Sequence, residues 1–600
     1  MSKLYENVFM AKGSLYTREY NPKTGLSETK AVRYVPPIFI PTKEETEFKS
    51  IITKENLSKV TFKTRKEYND YIKEMKQFNI RLYGYKSFEH GYIRENYGEP
   101  MDNDHNFRTL FLDIETAVLD KETPKHITKN DWKLEGERAA MATITSIQMF
   151  DTKSKKFIIL GLNKDWENKN NFTSEHGEIK YIRRNTEEEL LKTFLQILSK
   201  LNPTVIAGWN SEGYDYPYIT MRILRVLDKR NDIFLYNSDA REWVFNRETL
   251  ESPYVSQLSP VGHITYKPQD TNYGIRHTFK WIGYILEDYK DLYQKYTYTS
   301  LTSYSLDSVA SHELGSNKVN HDEFSDFTDF YENNFDLFIE YGVTDVSLLY
   351  ELDNKLKLID LAKFIAYHCG VSMDDVRGTI KQWISYVFNE AYKEGNILPL
   401  ENEFPEKDTV LLEYASSNQY NGPRKEEYQR LFMDEDLHGQ RFPGGWTRGT
   451  AKFWKWVFSL DYTSLYPSAQ MWANIGIDTL IEPKNLPEEL LNLRAKYFIY
   501  YPKDADPKEL DKFDYEFIRN VLENKEAQEE IKNTLEKYNV CATPNGMFFS
   551  RDKRSTMSTI IEGLITKRKK FKKDMKSIEQ EIENLKKEKD ELLKMLESGE

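Results

Sequence analysis

Asp113 and Glu115 stand two residues apart in the apolar run TLFLDIETA. Side chains at i and i+2 of a strand leave the same face, so both carboxylates can meet one cation cluster. Alone, such a pair is equally an ordinary solvated strand end. Asp215 follows in VIAGWNSEGYDYPYI, where an apolar strand passes through Gly208 into a turn holding Asn210 and Tyr214. By itself Asp215 also reads as a first-turn helix residue ahead of Pro217. In FIEYGVTDVSLLYEL, Tyr341 and Asp345 lie four apart and share one helical face, where a lone acid is also common on an exposed surface. Together, Asp113, Glu115, Asp215 and Asp345 supply the oxygen ligands that two Mg²⁺ or Mn²⁺ ions need for phosphodiester hydrolysis. One ion prepares the attacking water and the other holds the leaving oxygen. Tyr341 is placed to hydrogen-bond that water.

A fifth carboxylate raises a different question. In VFSLDYTSLYPSAQMW an apolar, strand-like lead-in from Val457 to Leu460 ends at Asp461, followed by Tyr462, Ser464, Leu465 and Tyr466. One carboxylate holds part of a metal site, and the Asp-x-Asp run after it, Asp504-Ala505-Asp506, falls in a polar turn before Pro507.

The elements that must position these residues follow from periodicity. The first 105 or so residues mix short aromatic strands (AVRYVPPIFI, IRLYGYKSF) with an amphipathic helix, RKEYNDYIKEMKQF. From about 106 to 350, buried strands alternate with helices, which predicts a mixed α/β sheet. One long helical stretch is expected over NFDLFIEYGVTDVSLLYELDNKLKLIDLAKFIAYH. Paired glycines, Gly444 and Gly445 in QRFPGGWTRG, mark a loop between modules. From about Thr556 to Leu596 a single highly charged helix runs without proline.

Composition bounds the class. A chain of 600 residues holds roughly four domains at ~150 residues each. With 39% apolar, 30% charged and 14% aromatic residues it is globular rather than disordered. No run approaches the ~18 apolar residues of a membrane span, and the start MSKLYENVFMAKGSLYTREY lacks the features of a secretory leader. Cys369 and Cys541 cannot build a disulfide framework or a thiolate zinc site, which fits a reduced, cytosolic compartment. Net charge is −12, yet between Arg551 and Lys576 ten basic residues face three acids, a local balance of +7. Such a stretch can track phosphates or simply be a solvated helix.

The segments FLDIE, GWNSEGYDYPYI and YGVTD resemble the three exonuclease motifs of the proofreading domain of family B DNA polymerases, and YSLDSVASHELG is similar to the same family, above all to the polymerases of T-even-type bacteriophages. The resemblance implies an α/β multidomain protein. It would have an RNase H-like 3′-5′ exonuclease domain, part of a polymerase palm and a long fingers helix. It carries Asp113, Glu115, Asp215 and Asp345 over as ligands of two Mg²⁺ or Mn²⁺ ions and Tyr341 as the residue that positions water. Asn210 and Tyr214 would lie beside the terminal nucleotide. A β-hairpin that parts primer from template would occupy GHITYKPQDTNYGIRHTFKWIG.

SLDYTSLYPS resembles the polymerase motif called motif A. The resemblance implies that Asp461 bridges two catalytic ions, with the Tyr462 carbonyl as a further ligand. Backbone amides near Ser464 and Leu465 would turn to the incoming triphosphate. The Tyr466 ring would lie under the sugar and exclude a 2′-hydroxyl. Arg568 and Lys572, four apart on a helix resembling the start of the fingers, would grip the β- and γ-phosphates. Gly444 and Gly445 resemble the segment joining exonuclease and polymerase parts and would touch DNA.

The family's later motifs, a Lys helix with Asn-Ser-x-Tyr-Gly and an Asp-Thr-Asp turn, are not found in these 600 residues. In the long helix Ile578, Ile582, Leu585, Leu592 and Leu596 recur at heptad positions and need an opposing helix. The expectation is therefore a DNA-directed DNA polymerase subunit that binds primer-template DNA and dNTPs in the cytoplasm of a phage-infected host. A separate carboxy-terminal chain would complete nucleotidyl transfer and bring the sliding clamp. A homotypic coiled-coil dimer, a truncated gene product, a stand-alone 3′-5′ exonuclease with an inactive palm and a non-catalytic DNA-binding scaffold are the alternatives. The expected division is an N-terminal domain over 1–105, completed by about 357–433, an exonuclease domain over 106–356, a partial palm over 434–555 and a first fingers helix over 556–600.

Overall fold

The computed structural model describes residues 4–97, 105–117, 134–136, 139–170, 172, 177–271, 274–315, 327–400, 409–433, 453–458, 464–498 and 518–598. They form two compact units, one from 1–36, 62–65 and 86–386, the other from 37–61, 66–85 and 387–600.

The first unit is built on a six-stranded mixed sheet. Its strands run Glu178–Arg184, Lys156–Leu162, Thr143–Asp151, Thr109–Ala117, Val205–Gly208 and Ile285–Asp288 in spatial order. Thr143–Asp151 pairs antiparallel with both its neighbours, and the remaining pairs are parallel. This is the mixed α/β sheet that the alternation of buried strands and helices predicts. Period-2 alternation divides the central strand between two cores. Leu110, Leu112 and Ile114 face one core, shared with helices Glu187–Leu201 and Asp215–Val226. Phe111 faces the other, shared with helix Phe335–Leu356. Asp113 and Glu115 continue the Phe111 register, so they leave the sheet toward that helix.

The long helical stretch expected over 334–368 is present as two helices, Phe335–Leu356 and Leu358–Cys369, with Lys357 at a left-handed φ of 53° between them. Asp353 holds the break: its carboxylate accepts from the Ile359 amide at 3.2 Å and the Tyr289 hydroxyl at 3.2 Å. The hairpin expected over 262–283 is present as Ile264–Thr271 paired antiparallel with Gly274–Trp281. A further antiparallel sheet, Leu4–Ala11, Ser14–Asn21 and Leu26–Val32, completes the strands near the amino terminus.

In the second unit, Ile38–Pro41 pairs with Leu57–Val60 and Tyr83–Gly84, and the amphipathic helix spans Arg65–Gln77. IRLYGYKSF contributes only the two-residue strand Tyr83–Gly84 here, and the helix starting at Phe88 belongs to the first unit. The long charged helix runs Thr556–Ser598. Asp478 caps its start, accepting from the Thr556 amide at 3.2 Å. Ile578, Ile582, Leu585 and Leu592 are all about half exposed along it.

Candidate active site

Three local features bring the acids together. The first is a bulge. Glu115 faces Ser146 and Thr116 faces Ile144, so the register slips between them, and the extra residue Thr145 donates its hydroxyl to the Glu115 carbonyl at 3.0 Å. A bulge re-aims the side chains beside it. The second is a close helix. A Cβ on Gly342 would lie 2.3 Å from Gln148 Nε2, and Gln148 is the cross-strand neighbour of Asp113. The bare backbone at 342 lets the helix settle on the sheet with Tyr341 and Asp345, one turn apart, beside Asp113 and Glu115. The third is a close strand. A Cβ on Gly208 would meet the Leu112 carbonyl at 2.7 Å, so Gly208 lets its strand end against the residue before Asp113.

Carboxylate oxygens of Asp113, Glu115 and Asp345 all lie within 4.8 Å of one another. Asp345 is buried, and Asp113 and Glu115 are partly buried. Three carboxylates at this spacing repel one another strongly in a low-dielectric setting, and a divalent cation is the partner their hard oxygens suit. Asp215 opens helix Asp215–Val226 and is 3% exposed. Its carboxyl is pushed well above the usual carboxylate range, first by burial and then by the Asp113 charge, while the Ile114 amide draws it partly back. All four expected acids are thus one electrostatic group. The Tyr341 phenol is held far up by burial and then by Asp345, Glu115 and Asp113, so it stays a neutral donor.

Asn210 and Tyr214 lie on the turn that delivers Asp215. Asn210 takes a left-handed φ of 61°, which asparagine tolerates. The Tyr214 hydroxyl pairs with Thr116 Oγ1 at 3.0 Å, beside Glu115. Tyr216 locks the following helix to the sheet by donating to the Ile206 carbonyl at 2.8 Å and the Glu287 carbonyl at 3.1 Å.

Sequence reading passed over Asp288, which ends the Ile285–Asp288 strand and caps helix Tyr289–Tyr296. It is fully buried and accepts from the Asn210 amide at 2.9 Å and the Glu212 amide at 3.2 Å. Its signal in the sequence is an ordinary N-cap aspartate, and nothing in that pattern reveals a contact 78 residues back.

The residues expected around Asp461 are only partly in view. Asp461, Tyr462, Gly444, Gly445, Asp504 and Asp506 lie outside the described residues. Ser464 has a left-handed φ of 55° and precedes helix Leu465–Trp472, on which Leu465 and Tyr466 are exposed. That helix packs on the start of Thr556–Ser598, with Arg554 Nη1 donating to the Met471 carbonyl at 2.8 Å. Arg568 and Lys572 are exposed on the long helix, one turn apart. The expected lead-in strand is corrected in its described part: residues 453–458 form no strand, and Val457 and Phe458 are 77% and 89% exposed. Among the described residues no neighbouring strand pairs with them, and an unpaired strand leaves its backbone donors and acceptors to water.

The sheet and its acid cluster define an α/β module in which Asp113, Glu115 and Asp345 could hold a metal ion. A family model described as DNA polymerase family B, exonuclease domain, matches residues 50–309, and one described as DNA polymerase family B matches residues 384–595. The chain belongs to the family B DNA polymerases. It is 25% identical to the DNA-directed DNA polymerase of Enterobacteria phage T4 over 78% of this chain and 46% of that protein. It is 24% identical to that of Escherichia phage RB69 over 80% of this chain and 48% of that protein. The DNA polymerase of Pyrococcus glycovorans is 22% identical over 64% of this chain. The chain therefore spans about half the length of the two phage relatives. No helix of the described residues is long and apolar enough to cross a membrane.

Proposed function

We propose that the first unit is a 3′-5′ proofreading exonuclease that hydrolyses DNA with two Mg²⁺ or Mn²⁺ ions held by Asp113, Glu115, Asp215 and Asp345. The observation that carries this is the convergence of three carboxylates within 4.8 Å, with Asp215 under the charge of Asp113. Bound divalent ions supply the positive charge that acidifies water and steadies the leaving oxygen. The chain's own groups orient the reaction: Tyr341, kept neutral, donates to the attacking water, and Asn210 and Tyr214 flank the terminal nucleotide. The test is degradation of 5′-labelled single-stranded DNA by the full chain with Mg²⁺. Asp113→Ala with Glu115→Ala abolishes shortening from the 3′ end, and a double variant as active as the wild type refutes the site.

Template-directed synthesis is the second half of the proposal. Asp461 and the Tyr462 carbonyl bind the catalytic ions, amides at Ser464 and Leu465 and the ring of Tyr466 receive the dNTP, and Arg568 and Lys572 grip its phosphates. The match of residues 384–595 to the family supports this reading. A carboxy-terminal chain provides the second metal-binding aspartate, the remaining fingers, palm and thumb, and the sliding-clamp contact. The half-exposed Ile578, Ile582, Leu585 and Leu592 give that chain a helix face to cover. Gly444 and Gly445 touch primer-template DNA. The division proposed is N-terminal domain, exonuclease, partial palm and fingers helix, at work in the cytoplasm of a phage-infected host. Co-purification from the native host tests the partner: a chain with an Asp-Thr-Asp turn is expected, and its absence where such a chain is encoded contradicts the split.

A further inference from the structure

The turn that delivers Asp215 is held from outside the acid cluster, by a network that reaches the β-hairpin. Asp288 faces Gly208 across the parallel pair of Val205–Gly208 and Ile285–Asp288, where residues 209–214 begin. Its two oxygens divide the turn between them: Oδ1 accepts from the Asn210 amide at 2.9 Å and Oδ2 from the Glu212 amide at 3.2 Å. Oδ1 also accepts from the Lys290 amide at 3.2 Å, so the same oxygen starts the next helix. Both carboxylate oxygens are thus committed, and the carboxylate has one productive orientation.

What fixes that orientation is Arg276, on the second strand of the hairpin. Its Nη2 donates to Asp288 Oδ2 at 3.1 Å and lies 3.9 Å from Glu212 Oε2, while Nη1 reaches Asp291 at 3.5 Å. Arg377 closes the network from the other side. It donates to the Glu212 carboxylate, and its Nη1 donates to Asp291 at 3.1 Å. Asp288 is wholly buried and the Glu212 and Arg276 side chains are 8% and 25% exposed, so water competes little for these bonds. The turn is gripped by its backbone through Asp288 and by its side chain through two guanidiniums.

We propose that Arg276 and Asp288 are positioning residues for the nuclease site, with the turn-side end of the hairpin, where Arg276 pairs with Gln269, setting through Asp288 where residues 210–214 place Tyr214 and Asp215. This rests on the exonuclease reading above. The hairpin and the cutting site are then one mechanical piece: a force on the hairpin strand bearing Arg276 is transmitted to the turn by one charge-assisted bond and two backbone bonds. Neither residue touches the reacting atoms, and the loss is one of orientation rather than of a ligand.

The test uses the full chain with Arg276→Met and Arg276→Lys. Arg276 is partly exposed, and Met keeps most of its length without the charge. Two readouts are taken: amide hydrogen exchange over residues 209–214, and steady-state hydrolysis of single-stranded DNA with Mg²⁺. Arg276→Met is expected to speed exchange in that segment about tenfold, with the sheet strands unchanged, and to lower kcat about tenfold with KM held, as the loss of one charge-assisted hydrogen bond implies. Arg276→Lys is expected to recover most of both. A merely structural arginine would lower the melting temperature and speed exchange in the sheet strands as well, and its apparent fall in kcat would disappear once rates are referred to the folded fraction. Unchanged exchange over 209–214, or faster exchange with unaltered kcat, overturns the proposal. A wild-type chain that cuts no DNA with any divalent ion removes the nuclease reading and this role with it. A wild type that cuts normally while Arg276→Met matches it in both readouts removes the positioning role alone.

Discussion

Gly342 and Gln148 sit so close that a Cβ on the glycine would stand 2.3 Å from the amide nitrogen of the glutamine, 2.6 Å from its Cδ and 2.9 Å from its Cγ. Gln148 is fully buried and faces Asp113 across the two central strands. The helix bearing Tyr341 and Asp345 owes its nearness to Asp113 and Glu115 to this contact. Gly342→Ala is expected to lower stability by about 1–3 kcal/mol, the usual cost of overpacking. Because it lifts Asp345 from its partners, it should also reduce nuclease kcat. Thermal melts and steady-state kinetics check both effects, and Gly342→Ala with Gln148→Ala, which opens the space, should recover part of each. A single variant that melts and cuts like the wild type contradicts the packing account.

Tyr341 is kept protonated by burial and by three neighbouring acids. A phenol that keeps its proton can donate a hydrogen bond in the proposed site, and removing the hydroxyl while keeping the ring isolates that contribution. Tyr341→Phe is expected to lower kcat about tenfold, the value of one well-placed hydrogen bond, with KM within about twofold. Single-turnover hydrolysis measures this directly. A change confined to KM would make Tyr341 a substrate-binding residue instead.

The acids could be picked out of the sequence only as a set, because each alone also reads as an ordinary solvated or helix-start residue; the structure brings Asp113, Glu115 and Asp345 within 4.8 Å of one another. Asp113 and Glu115 at i and i+2 share a strand face, and Tyr341 and Asp345 at i and i+4 share a helix face. The hairpin was legible from its place between the motifs. Residues whose role depends on pairing at long range were not. Asp288 looks like a helix cap in sequence, and its bond to Asn210 exists only once two parallel strands lie side by side. The break at Lys357 was hidden because lysine carries no turn signal, whereas glycine or asparagine there would have announced a left-handed residue. The strand expected from Val457 to Leu460 is absent at its described residues, Val457 and Phe458, where no described strand lies alongside to pair with them.

Glu287 gives a pH signature. It is buried beside Arg377, 3.8 Å away, yet burial outweighs that attraction, Glu212 and Asp374 add repulsion, and the carboxyl is raised to about 8. The folded chain then keeps a proton that the unfolded chain gives up near its ordinary value of 4.5. The associated stability is fully present below that ordinary value and is lost as pH rises toward 8, at no more than about 1.4 kcal/mol per pH unit for one proton. Glu287→Gln should flatten this decline. Melting temperatures of both proteins between pH 5 and pH 8 decide it, and parallel curves would show that Glu287 does not titrate in this range.

The polymerase half predicts complementation. The 600-residue chain alone is expected to give no primer extension with Mg²⁺ and four dNTPs. Adding a carboxy-terminal chain that contains an Asp-Thr-Asp turn should restore it. Asp461→Ala should abolish the restored synthesis while leaving 3′-5′ shortening of single strands intact, since the two sites use different acids. Efficient extension by the chain alone would refute the divided site.

The central claim is that Asp113, Glu115, Asp215 and Asp345 form one two-ion site. Crystals of the full chain grown with Mn²⁺ and measured at the manganese absorption edge test it most directly. Two anomalous peaks are expected among Asp113, Glu115, Asp215 and Asp345. Manganese bound elsewhere, with no peak among these four carboxylates, would contradict the account.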